Sequence, residues 1–260
     1  MGDLTDATAV SADGTGIAFT CRGSGPAVVL VDGAMCFRDA GPSGPLAERL
    51  AADFTVFTYD RRGRGGSGDG PPYAVDREIE DLAAVIAAAG GRAHVHGISS
   101  GGLLALEALA RGGAAIDRLS VFEPPLPEDG VTRQLAAQLA ALVADGQRGA
   151  AVELFQTSIG IPEPMVAAMR DSPFRPVLES IAHTLVYDLT ITGAAAADRY
   201  AALTTPVLVV DSTDTSAGLR SAARTLAEAI PGARHRSLPG HFHDVAPDEL
   251  APVLAEFFGA

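Results

Sequence analysis

The chain has 260 residues, 47% of them hydrophobic, with a net charge of −13; that size fits one large domain or a domain with an inserted lid. The acidity opposes nucleic acid or an anionic membrane as partner. Every one of the 19 basic residues is arginine, which excludes Schiff-base chemistry, pyridoxal-phosphate attachment and the phosphate-binding lysine of a P-loop.

Met1–Val10 carries Asp3 and Asp6 where a secretory leader would be basic and then apolar, and no apolar run approaches the roughly 18 residues of a membrane span. Cys21 and Cys36 form neither a disulfide framework nor a C-x-x-C motif. A reducing compartment, the cytoplasm, is the expected home.

Thr15–Cys21, Ala27–Val31 and Phe54–Tyr59 have strand character, and the turns Asp13-Gly14 and Arg22–Pro26 bound the first two. A helix is expected near Pro45–Ala52. Val75, Ile79, Leu82, Val85, Ile86 and Ala89 recur at helical spacing, with acids in the first turns where they suit the dipole. Ala93–His96 reads as a short buried strand, followed by a helix to Arg111 and a strand at Leu119–Phe122. Strands alternating with helices mean a mostly parallel sheet covered on both faces. From Pro124 to about Thr204 the pattern turns helical, with segments over Val131–Leu142, Ala151–Ile159 and Pro176–Leu189. Eighty helical residues between two strands predict an inserted cap, residues 124–204, on a core formed by 1–123 and 205–260. Strand character returns at Pro206–Val210. A helix near Leu219–Ile230, a strand near Arg234–Leu238 and a closing helix complete the chain.

Between the Ala93–His96 strand and its helix lies Gly97-Ile98-Ser99-Ser100-Gly101. A strand turning abruptly into a helix needs residues without bulk on both sides of the bend, and the apical side chain is then held exposed near free helix-terminal amides. Serine at that apex is a candidate nucleophile, although a plain Gly/Ser turn has the same spelling. His94 and His96, two apart on one strand, have no carboxylate or cysteine set around them and read as core histidines. Gly63–Gly68 spells G-x-G-x-x-G but runs into Asp69-Gly70-Pro71-Pro72 instead of a helix, which argues for a structural turn over a dinucleotide site.

Sheet, bend, helical insertion and a late histidine together resemble the α/β-hydrolase superfamily over nearly the whole chain. Within it the sequence is similar to a group of uncharacterised capped serine hydrolases with V-D-G-A, Y-D-R-R-G-R-G and E-P-P, here Val31–Ala34, Tyr59–Gly65 and Glu123–Pro125. The resemblance implies Ser99 as nucleophile and His243, in Gly240-His241-Phe242-His243-Asp244, as its base, with His241 the competitor. It also implies a carboxylate to orient the imidazole. Glu123, directly after a strand, is placed first; Asp214, in the turn after Pro206–Val210, is the alternative. The oxyanion donors implied are the amides of Ala34 and Ser100. Asp32 stands where the family pattern has histidine, and a carboxylate beside an oxyanion is unhelpful unless it is hydrogen-bonded or turned away. In the cap, Phe155, Met165, Met169, Phe174, His183 and Tyr187 are expected to line a hydrophobic substrate pocket. The implied activity is cofactor-free, metal-free cleavage of an ester, thioester or lactone of a small molecule. Acyl transfer, elimination or cyclisation on the same residues, and a non-catalytic ligand-binding relative, are the alternatives. The oligomeric state is not legible.

Overall fold

A computed structural model describes residues 4–128 and 130–260; Asp3, one of the two acids that set the N-terminus apart from a secretory leader, lies outside them. Eight strands form one sheet: β1 (Thr5–Val10), β2 (Gly16–Gly23), β3 (Ala27–Val31), β4 (Thr55–Tyr59), β5 (Ala93–Ile98), β6 (Ile116–Phe122), β7 (Val207–Asp214) and β8 (Arg234–His241). Their order is β1-β2-β4-β3-β5-β6-β7-β8. β2 is antiparallel to both neighbours, and all later pairings are parallel. β1 has no counterpart in the sequence reading, because Thr5–Val10 is an exposed edge strand with only Ala9 buried and so lacks a buried strand's apolar run.

The central strands are buried on both faces. Val29, Val31, Val95 and Val121 meet α2 (Val75–Ala88), α3 (Ser100–Ala110) and α9 (Ala217–Ala229). Val28, Leu30, Phe122 and Val210 meet α1 (Ser43–Leu50) and α10 (Pro247–Gly259). Alternate residues of one strand thus feed two separate cores, as a doubly covered parallel sheet requires.

Between β6 and β7 lie α4 (Val131–Ala144), α5 (Arg148–Ser158), α6 (Glu163–Arg170), α7 (Arg175–Ser180), α8 (Thr184–Ala194) and a 3-10 turn, Ala197–Tyr200. They own a third apolar cluster, with Leu139, Val152, Phe155, Leu178 and Leu185 at its centre. The single helix expected over Pro176–Leu189 is two helices broken at Ile181–His183. The apolar spacing runs through the break, so periodicity alone conceals it. No helix among the described residues is long and apolar enough to cross a membrane.

Candidate active site

The parallel register sets Val31 beside Gly97, Ile98 beside Phe122, and Phe122 beside Val210. The chain therefore leaves β3, β5 and β6 along one carboxyl edge, where open α/β sheets bind their ligands. Ser99 sits at the tip of β5 with φ 53° and ψ −124°, and its amide donates to Phe122 O at 2.9 Å. The bend tolerates no side chain at its base. A Cβ on Gly97 would come within 2.6 Å of Gly101 O, and one on Gly101 within 2.4 Å of Val31 O. Beyond the bend, the amides of Ser100 and Ala34 have no backbone acceptor among the described residues, which leaves them free to bind an anion.

Glu123 follows β6 and is fully buried. Its Oε1 accepts from the Ser212 amide at 3.0 Å and from the Ser212 hydroxyl, and its Oε2 accepts from the His243 amide at 2.7 Å. The His243 ring Nδ1 lies 2.8 Å from the same Oε2. The ring N–H aims off that line, so the contact is close without being a straight hydrogen bond. Burial opposes the Glu123 charge, yet the donors from His243 and Ser212 outweigh it and hold the carboxyl at about 2. Asp214, the alternative acid, is placed elsewhere. It is exposed at the end of β7, with the equally exposed His241 ring 3.9 Å away.

Four non-glycine residues have positive φ among those described: Met35 at 63°, Ser99 at 53°, Glu123 at 46° and His243 at 51°. Ser99 and His243 line one cavity, Met35 follows a third lining residue, Ala34, and Glu123 backs His243. Such conformations cost on the order of 1–3 kcal/mol each and persist only where surrounding structure over-determines them.

The cavity encloses about 580 Å³, within the range for small-molecule sites. Ser99, Ser100, Ala34 and His243 form its floor; Leu126, Phe155, Ile159, Leu189 and Thr192 wall one side, and α9 the other through Leu219, Ala222 and Thr225. Of the pocket residues expected from sequence, only Phe155 is here. Met165 is exposed, and Met169 packs into the helical cluster and accepts from Gln156. Phe174 stacks on Phe37, Tyr187 stacks on Tyr73, and His183 lies 3.3 Å from Asp69. The correction has a simple cause. α8 turns Asp188, Leu189 and Thr192 toward the cavity, so neighbouring Tyr187 faces the loop after β4. Asp188 and the α9 wall are absent from the sequence reading. The arginines of Arg61-Arg62-Gly63-Arg64 were the available clue, since buried guanidinium groups need buried acids.

Other sequence features are spent structurally. His94 stacks on Phe258 at 4.9 Å. His96 shares a 3.2 Å contact with Ser120 and is pushed down to about 3 by burial. In the glycine-rich run, the Gly63 amide bonds Gly68 O and the Gly66 amide bonds Asp60.

The sequence profile of the alpha/beta hydrolase family matches residues 20–253. The chain belongs to that family. An alpha/beta hydrolase from Sphaerobacter thermophilus has a crystal structure 51% identical, covering 97% of this chain and 100% of its own, with a TM-score of 0.89. The enol-lactonase of Burkholderia xenovorans shares the fold at 22% identity and a TM-score of 0.72, over 98% of this chain and 100% of its own. N-formylmaleamate deformylase of Pseudomonas putida is 37% identical over 111 residues, 42% of this chain and 41% of that protein. The match thus spans about two fifths of the length of the curated relatives.

In this hydrolase the carboxylate at the family's histidine position is turned away from the cavity. Asp32 accepts from the Ser43 hydroxyl at 2.6 Å, at the start of α1. Burial pushes its carboxyl up to about 6, and the Ser43 hydroxyl with Arg64 and Arg61 only partly offsets this. The unfolded carboxyl titrates near 4, so the folded state holds the proton more tightly between about pH 4 and 6. Stability therefore falls as pH rises through that window and stays lower above it. Asp32→Asn is expected to stabilise the fold by roughly 3 kcal/mol above pH 6, with the gain vanishing below pH 4. Urea unfolding between pH 4 and 8 measures it; a gain that does not vary with pH refutes the linkage.

Proposed function

We propose that this hydrolase is a cofactor-free serine enzyme that cleaves a carboxylic ester, thioester or lactone of a small hydrophobic substrate through an acyl-enzyme. The observation that carries the reading is that a strained apical serine and a histidine backed by a buried carboxylate line the floor of one small-molecule cavity. Ser99 attacks the acyl carbonyl while His243 takes its proton, and the Glu123 charge stabilises the imidazolium. The oxyanion is held by the amides of Ala34 and Ser100. His243 then protonates the leaving group, and water repeats the sequence to free the acid. Ser99 Oγ has no hydrogen-bond partner among the described residues, so the imidazole takes its working angle when substrate enters, a tightening common in acyl-transfer sites. The α4–α8 helices serve as the cap, and their wall of Phe155, Ile159 and Leu189, continued by Leu126 ahead of α4, suits an apolar acyl group. The names of the relatives, a deformylase and an enol-lactonase, fit acyl transfer to water.

A fluorophosphonate probe tests this directly. Stoichiometric labelling of Ser99, abolished by Ser99→Ala and accompanied by hydrolysis of p-nitrophenyl butyrate, is the expected result. A folded protein with Ser99 unlabelled removes covalent catalysis.

A further inference from the structure

At the cavity lining, through Asp188 and Ser100, begins a buried polar cluster for which the triad has no use. Asp188 comes from α8, in the helical insertion, and is 2% exposed; Arg61 and Arg64, from the loop after β4, are 1% exposed. The Asp188 carboxylate accepts from Arg61 Nη1 at 2.7 Å and from Arg64 Nη2 at 2.8 and 2.9 Å. It also accepts from the Ser100 hydroxyl at 2.7 Å. Arg61 Nη1 reaches Ser100 Oγ at 3.2 Å and Asp32 O at 3.3 Å, while Arg64 Nη1 donates to Gly33 O at 2.5 Å and Cys36 O at 3.2 Å. Glu78 holds the other edge of Arg61 through two bonds of 2.7 and 2.9 Å.

One side of this cluster grips Ser100, whose amide is one proposed oxyanion donor. The other grips the carbonyls flanking Ala34, whose amide is the second. A hole works only when both donors already point at the place where charge develops, and errors of a fraction of an ångström are costly there. We propose that Asp188 is a positioning residue: through Ser100, Arg61 and Arg64 it sets the separation and aim of the two oxyanion amides, so that docking of the cap helix α8 completes the hole. The inference rests on the acyl-enzyme reading above. Bonds from Arg64 and Arg61 hold the Asp188 carboxyl below its ordinary range even though burial opposes the charge, so both guanidinium contacts stay charge-assisted at neutral pH. Arginine suits the place, because the planar guanidinium of Arg64 turns Nη2 to the carboxylate and Nη1 to the two carbonyls in one fixed fork.

The experiment compares wild type, Asp188→Asn, Ser100→Ala and the double variant on p-nitrophenyl butyrate, with active sites titrated by fluorophosphonate. Affinity for an alkyl trifluoromethyl ketone, which forms an oxyanionic hemiketal on Ser99, is measured alongside. Asp188→Asn is expected to lower kcat per titrated site by about 10–100-fold with KM within about threefold. Ser100→Ala, which keeps every charge paired and so preserves the fold, should lose about tenfold in kcat. Ketone affinity should fall in parallel with kcat, and the double variant should be no worse than Asp188→Asn alone, because the two share one contact. A purely structural Asp188 would change the titrated fraction and leave kcat per site and ketone affinity alone. That result, or full kcat in Ser100→Ala, overturns the proposal while the acyl-enzyme reading stands. A wild type that neither labels nor turns over overturns both.

Discussion

Glu123→Gln is expected to lower kcat on an activated ester by about 10³–10⁴-fold, whereas Asp214→Asn stays within about twofold, as surface changes do. Every partner of the Glu123 carboxylate is a donor: the Ser212 amide and hydroxyl and the His243 amide, with the ring Nδ1 close by. A glutamine of the same shape must point its own NH2 at one of those donors, and it brings no charge to stabilise an imidazolium. Asp214 has only a loose, solvent-exposed approach to His241. Turnover per titrated Ser99 decides the matter, and equal small losses in both variants would remove both acids from the mechanism. A stability signature accompanies the kinetic one. Glu123 titrates near 2 when folded and near 4.5 when free, so it contributes roughly 3 kcal/mol above pH 4.5 that is lost as pH falls toward 2. The glutamine variant should therefore be less stable than wild type at pH 7, with the gap closing in acid.

Arg62→Met is expected to destabilise the fold by about 3–5 kcal/mol, a fall in Tm on the order of 10 °C for a chain of this size, with kcat per active site unchanged. Arg62 is fully buried and grips Asp81 through two bonds of 2.7 Å, with further bonds to Asp13 and Arg77 O. None of these residues lines the cavity. Methionine would fill the guanidinium's stem volume but strand Asp81, whose carboxyl burial already raises even with the arginine present. The stranded acid would rise further and bind a proton on folding, so the deficit should grow with pH. Removing both partners, in Arg62→Met with Asp81→Leu, should recover most of the loss, because an apolar pair carries no desolvation cost. Thermal and urea unfolding across pH read all three effects. A small, pH-independent change for the single variant would mean that water reaches Asp81.

Local chemistry made much of this molecule legible in advance. The bend at Ser99 could be read because it needs small residues on both sides: a Cβ on Gly97 would come within 2.6 Å of Gly101 O, four positions on, whereas the demand on Gly101 comes from Val31 O on another strand. The strands β3 to β7 and helices α2 and α3 could be read because apolar spacing repeats within each. The edge strand β1 and the break between α7 and α8 escaped for the converse reason: one has almost no buried face, and the other interrupts the backbone without interrupting the pattern.

The amino-acid sequence by itself determined the alternation of strands and helices and the glycine-flanked serine, which depend on periodicity and turn chemistry within a few residues, while the family resemblance pointed to the histidine ahead of the last helix. Only the tertiary structure decided that Glu123, and not Asp214, lies against His243, that α9 walls the cavity while Met165, Met169, Phe174, His183 and Tyr187 do not, and that Asp188 reaches Ser100 across 88 positions of chain. Those choices turn on the register of β6 against β7 and on the rotation of α8 about its axis. Both are set by packing between distant segments, and a rotation of one residue about a helix, some 100°, exchanges a cavity wall for an outer face.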